Sequence, residues 1–269
     1  MLDSNEKKQS DELLPFNMVT SVKWIILMLQ KLYYASFAFF LSLFLSFTAH
    51  AQADNNPSDA IGEGQATDLD PALIPNSPFR IIGFGDSLMA GYQLEQDQSF
   101  AAVLEKKLSS EGYEVIVDNA GVSGDTTTAG LSRLDWSVPD DAKLVILELG
   151  ANDMLRGIEP EVTEQNLDAM LARLQSRKIP VLLAGMMAAP NMGVENVTKF
   201  NAIYPRLAQK YNVTLYPFFL DGVAGQSQYQ LSDGMHPNRQ GVELMVDRFL
   251  PTIKAELQKL GVEPLQDSE

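Results

Sequence analysis

Between residues 79 and 262, apolar positions fall into short continuous runs separated by stretches of helical spacing. Arg80-Ile81-Ile82-Gly83-Phe84-Gly85 is the first run, ends at a glycine, and predicts a buried strand. Glu114-Val115-Ile116-Val117-Asp118, the run from Leu144 to Leu149, the run from Pro180 to Gly185, and a short run from Val213 to Pro217 predict four more. Apolar residues at 100, 103, 104 and 108, and again at 162, 167, 170, 171 and 174, recur with a helical period. Further helices are expected from about Val197 to Tyr211 and from about Asn238 to Leu260. Strands that are apolar without alternation are covered on both faces, and strands alternating with helices imply a parallel sheet. The predicted fold class is α/β, a three-layer α/β/α sandwich around a five-stranded parallel sheet of flavodoxin-like order. In such sheets the working groups collect on loops beyond the strand C-termini.

The chain ahead of this pattern reads differently. Leu32 to Phe47 carries no charge, Lys23 and Lys31 precede it, and Ala49-His50-Ala51-Gln52-Ala53 follows. A basic flank, a short apolar core and an A-x-A site mark a secretory signal peptide over residues 1–53, against the alternative of an uncleaved anchor. Residues 54–78 hold Pro57, Pro71, Pro75 and Pro78 among Asp, Asn, Gly and Ser, the composition of a flexible linker. The single domain is placed at 79–262, with 263–269 as a C-terminal tail and a periplasmic or secreted location after cleavage.

Charge and cysteine content narrow the chemistry. The formal net charge is −15, which argues against nucleic acid or an anionic membrane surface as the main partner. Cysteine is absent, so disulfides, thiolate nucleophiles, cysteine-ligated zinc and a lipoprotein anchor are excluded. One histidine, His236, remains once the leader is set aside, and any Ser–His chemistry must run through it.

The candidate groups follow successive strands. Ser87 stands two residues after Gly85, as a nucleophile on a sharp turn or as a serine capping a short helix. Neither G-x-S-x-G nor G-x-G-x-x-G is satisfied there. Gly124 follows the second strand, offering a backbone N–H or serving as a plain loop glycine. Asn152 follows the third, as an amide donor to an oxyanion or as an Asx-turn residue. Asp233 and His236, three apart before the last helix, are an acid–base pair or a helix cap with a packed histidine.

Taken together, Gly85-Asp86-Ser87-Leu88, Ser123-Gly124-Asp125-Thr126, Gly150-Ala151-Asn152-Asp153 and Asp233-Gly234-Met235-His236-Pro237 resemble the blocks of the GDSL or SGNH hydrolases, over essentially the whole domain. Leu147 to Asp153 with Leu155-Arg156-Gly157, Ala202-Ile203-Tyr204-Pro205 and Tyr216-Pro217-Phe218-Phe219 look like the thioesterase I/arylesterase/lysophospholipase branch. Ala151 stands where that branch often has glycine, and Met186 to Val194 is less similar. The resemblance implies the SGNH fold and a serine esterase with Ser87, Asp233 and His236 as catalytic residues. It implies Ser87, Gly124 and Asn152 as the oxyanion hole, with no metal and no cofactor. The expected partner is a small acyl ester or thioester, of short-to-medium chain, with lysophospholipids as a further class. Leu88, Met154, Leu155, Ile158, Met187 and Pro190 are the apolar candidates for holding the acyl chain. No nucleic acid or obligate protein partner is expected, and a monomer is. A carbohydrate acetylesterase of the same fold and a non-catalytic binding module are the rival readings.

Overall fold

The computed structural model describes residues 78–265, so the expected leader, most of the linker and the last four residues lie outside it. Five strands, β1 (Phe79–Gly85), β2 (Val115–Gly121), β3 (Leu144–Glu148), β4 (Val181–Ala184) and β5 (Thr214–Tyr216), form one parallel sheet of order β2-β1-β3-β4-β5. This is the flavodoxin-like order, with the topological switch between β1 and β3. The helices are α1 (Ser87–Ala90), α2 (Phe100–Ser110), α3 (Thr127–Ser137), α4 (Ala151–Leu155), α5 (Pro160–Ser176), α6 (Val194–Asn201), α7 (Ile203–Tyr211) and α8 (Arg239–Lys259). Helix α2 packs on α8, whereas α3 packs on α5 and α5 on α7.

The burial pattern explains the order of strands. Every residue of β3 is buried, as its continuous apolarity requires for the middle of a covered sheet. Strand β2 alternates instead, Val115 and Val117 in and Ile116 out, because it lies at the sheet edge. Glu105 on α2 covers part of that edge by accepting the Val117 N–H at 2.7 Å. Phe100, Tyr216, Phe219 and Phe249 interlock edge-on or tilted beneath α2 and α8.

Three elements depart from the sequence reading. The helix expected from Val197 to Tyr211 is two, α6 and α7, broken around Ala202. Pro205 has no N–H to return to the Asn201 carbonyl, so the helical ladder cannot run through. Helix α3 was not anticipated: its buried face is Thr127, Gly130, Arg133 and Leu134, too polar to show an apolar period. Strand β2 runs on to Gly121, which pairs with Gly85 of β1. That pairing sets the ends of two site-bearing strands side by side.

Candidate active site

Beyond Gly85 the chain leaves the sheet and turns into α1, a single helical turn. Asp86 caps it by accepting the Leu88 N–H at 3.0 Å, and Gly91 closes it in the left-handed region at φ 79°. Ser87, 8 % exposed, is thereby the first helical residue, whose N–H has no intrahelical acceptor. The capping alternative for Ser87 does not hold: the cap is Asp86, and the serine side chain is left free of that role.

The base arrives from 149 residues away, and His236 Nε2 lies 2.8 Å from Ser87 Oγ. Its Nδ1 is 2.7 Å from Asp233 Oδ2, while Asp233 Oδ1 accepts the N–H groups of Met235 and His236 at 2.9 and 3.0 Å. Desolvation opposes ionisation of Asp233, but those two N–H groups and the imidazole outweigh it and draw the carboxyl down to about 2. An ionised carboxylate at Nδ1 holds a proton there and keeps Nε2 as the acceptor facing the serine. The Tyr92 ring lies over the imidazole, centroids 4.4 Å apart and tilted by 36°.

Asn152 and Gly124 complete the face. Asn152, the second residue of α4 after β3, donates one amide hydrogen to Asp86 Oδ2 at 3.0 Å, leaving its second for another acceptor. Gly150 takes φ 121°, and a Cβ there would run into the Tyr204 hydroxyl, which itself donates to the Leu149 carbonyl at 2.8 Å. Gly124 takes φ 87°, and its carbonyl accepts from Arg156 Nη2 at 2.7 Å.

Sequence reasoning missed the buried polar scaffold behind these loops. Asp153 accepts the Thr127 N–H and hydroxyl at 2.7 and 2.5 Å, joining the loops after β2 and β3. Arg133, 6 % exposed, pairs with Asp125 at 2.6 Å, donates to the carbonyls of Gly85 and Ala120, and lies over the Phe84 ring. Glu148, fully buried at the end of β3, accepts the Asp86 N–H at 3.2 Å. Burial pushes the Asp86 carboxyl up to about 6, against the pull of Leu88 N–H and the Asn152 amide. Burial and the neighbouring Asp86 charge raise Glu148 well above the usual carboxylate range. The available signal was a lone charged residue, Glu148, inside an otherwise apolar strand.

The acyl-chain candidates scatter. Leu88 is buried in the core beside Ser87, while Leu155, Met187 and Pro190 are exposed. Met154 and Ile158 line a small cavity with Met192 and Phe200. The Ala189 N–H contacts the Met154 sulfur at 3.3 Å, which ties the loop after β4 to α4.

Comparison with known proteins bears on the family and the fold. A model of the GDSL-like Lipase/Acylhydrolase family matches residues 84–244. Esterase TesA of Pseudomonas aeruginosa is 37 % identical over 175 residues, covering 65 % of this chain and 87 % of that protein. Thioesterase 1/protease 1/lysophospholipase L1 of Escherichia coli K12 is 38 % identical over 168 residues, covering 62 % and 79 %. The crystal structure of AlinE4, described as an SGNH-hydrolase family esterase, superposes with a TM-score of 0.57 at 46 % identity, covering 68 % of this chain and 98 % of that one.

Proposed function

Since the chain belongs to the GDSL-like lipase/acylhydrolase family, we propose that it is a serine esterase and thioesterase acting on small acyl esters through an acyl-enzyme. The observation that carries this is the continuous relay from Ser87 Oγ to His236 Nε2 and from His236 Nδ1 to Asp233, at 2.8 and 2.7 Å. His236 takes the Ser87 proton as the oxygen attacks the acyl carbonyl, and Asp233 stabilises the imidazolium that forms. The developing oxyanion is received by the N–H groups of Ser87 and Gly124 and by the free amide hydrogen of Asn152. Each such donor is typically worth about 10²–10³ in turnover. His236 then protonates the leaving alcohol or thiol, and the same base activates water against the acyl-enzyme.

The acyl chain is assigned to the apolar side chains around α4 and the loop after β4. Met154 and Ile158 would line its inner part, and Leu155, Met187 and Pro190 its open rim, with Leu88 as the floor beneath the nucleophile. Flexible Met and Leu side chains suit short-to-medium chains without demanding one shape. The relatives named for esterase, thioesterase and lysophospholipase activities fit that breadth. Residues 1–53 are assigned as an export signal and the enzyme to the periplasm or exterior, working as a monomer.

Treatment with a fluorophosphonate and hydrolysis of p-nitrophenyl butyrate test the reading together. The wild type should be labelled at Ser87 and active, and Ser87→Ala should lose both. A probe adduct that persists in Ser87→Ala, or hydrolysis unaffected by that change, would remove the serine from the reaction.

A further inference from the structure

Directly behind the nucleophile turn, one peptide group is gripped at both ends. The carbonyl of the Gly85–Asp86 peptide accepts from Arg133 Nη2 at 2.9 Å and from the Val122 N–H at 3.0 Å. Its N–H donates to Glu148 Oε2 at 3.2 Å. The next two links run outward from Asp86, whose carboxyl holds the Leu88 N–H and the Asn152 amide. Both the nucleophile turn and one oxyanion donor therefore hang from the residue whose N–H Glu148 holds.

Glu148 is a poor choice for stability alone. It is completely buried, and its second oxygen, Oε1, has no hydrogen-bond partner among the described residues. A carboxyl so placed costs free energy that a leucine of similar size would not. Room is also cleared for it, because a Cβ on Gly85 would lie 2.5 Å from Glu148 Oε2 and 2.8 Å from its carbonyl oxygen. Gly85 is thus kept side-chain-free where the carboxyl approaches the backbone.

We propose that Glu148 is a positioning residue for the esterase reaction, acting as a buried hydrogen-bond acceptor that fixes the Gly85–Asp86 peptide and thereby aims Ser87 and Asn152 at the acyl carbonyl. This rests on Ser87 being the nucleophile. Only an acceptor oxygen is needed, not a charge, and burial beside Asp86 raises the carboxyl well above the usual carboxylate range. The glutamine amide supplies the same oxygen, and leucine supplies none.

The test compares wild type, Glu148→Gln and Glu148→Leu in the full chain. Values of kcat and KM for p-nitrophenyl butyrate are taken per site titrated with fluorophosphonate, beside the melting temperature. Glu148→Gln should stay within about threefold of wild type, while Glu148→Leu should lose about 10- to 100-fold in kcat with little change in KM, the scale of a misplaced catalytic group. Should Glu148→Leu fail to fold, Glu148→Asp, with its carboxyl drawn back by about 1.5 Å, should show the same loss. A leucine or aspartate variant with wild-type kcat per titrated site overturns the proposal, whatever its melting temperature. Equal losses in the glutamine and leucine variants also overturn it, because an acceptor alone would then not suffice. A wild type that neither hydrolyses ester nor labels at Ser87 fells the catalytic reading itself, and this proposal with it.

Discussion

Ser87 and His236 meet at 2.8 Å, yet unlike kinds of structure hold them. The serine side grows out of the sheet: Asp86 and Glu148 are fully buried, Arg133 nearly so, and their partners come from β1, β2, β3 and α3. The histidine side is local. Asp233 binds the backbone N–H groups two and three residues ahead and then the ring itself, with 29 % of its side chain exposed. A nucleophile has to face two oxyanion donors as well as a base, so it gains from the stiffness of a packed interior. A base needs one tautomer and one direction, which a tight turn can supply.

If the two sides differ in this way, damage on the histidine side should cost chemistry far more than stability. Asp233→Asn keeps the oxygen that accepts the two backbone N–H groups, so the turn should fold as before. An amide facing Nδ1 favours the wrong tautomer, and kcat should fall by about 10³–10⁴. The melting temperature should fall by only about 2–4 °C, the cost of exchanging a carboxylate held down to about 2 by those N–H groups and the imidazole for a neutral amide at a partly exposed turn. A large drop in melting temperature would show that the turn is tied into the core after all. Unchanged kcat would take Asp233 out of the relay.

Damage on the serine side should register in folding, and with a definite pH signature. Burial pushes the Asp86 carboxyl from its ordinary 3.8 up to about 6 in the folded protein. The native state therefore holds this proton more tightly than the unfolded chain, and ionisation costs stability as pH rises from about 4 to about 6. At 1.36 kcal/mol per unit, the whole effect is on the order of 3 kcal/mol. Asp86→Asn cannot ionise, so its unfolding free energy minus that of wild type should climb across that window and level off above it. Losing the Asn152 contact adds a constant offset and leaves the slope intact. Urea unfolding of both proteins at pH 4, 5, 6 and 7 measures this, and a difference that stays flat would mean that Asp86 does not bear the cost of burial.

The same contrast decides what could be read from the sequence. Asp233 and His236, three residues apart, and Ser87, Gly124 and Asn152, each shortly after an apolar strand, were candidates by position, and the resemblance to the GDSL blocks was what assigned them. The parallel sheet and its order followed from those same runs. Arg133 was invisible, since it faces inward from a helix whose buried positions are mostly polar, and its partners lie on other strands. Glu148 sat in plain view within an apolar run, but nothing local says which peptide it will meet. Long-range buried polar pairs carry no period and no spacing, so they emerge only when the sheet brings β1 and β3 together.

Tyr92 is the point at which the comparison is least sharp. It belongs to the serine side, because its N–H donates to the Ser87 carbonyl at 3.1 Å where α1 ends. Yet its ring lies on the histidine, 37 % of the residue exposed, and so bridges the two constructions. An aromatic face stabilises an adjacent cation by about 0.5–1 kcal/mol at an exposed site. An imidazolium forms as His236 takes the Ser87 proton, so that stabilisation acts in the transition state. Tyr92→Leu should therefore lower kcat by about two- to fivefold, and Tyr92→Phe should not. Equal rates for leucine and tyrosine would make the ring a cover for the histidine and nothing more. The serine side would then touch the base through the hydroxyl alone.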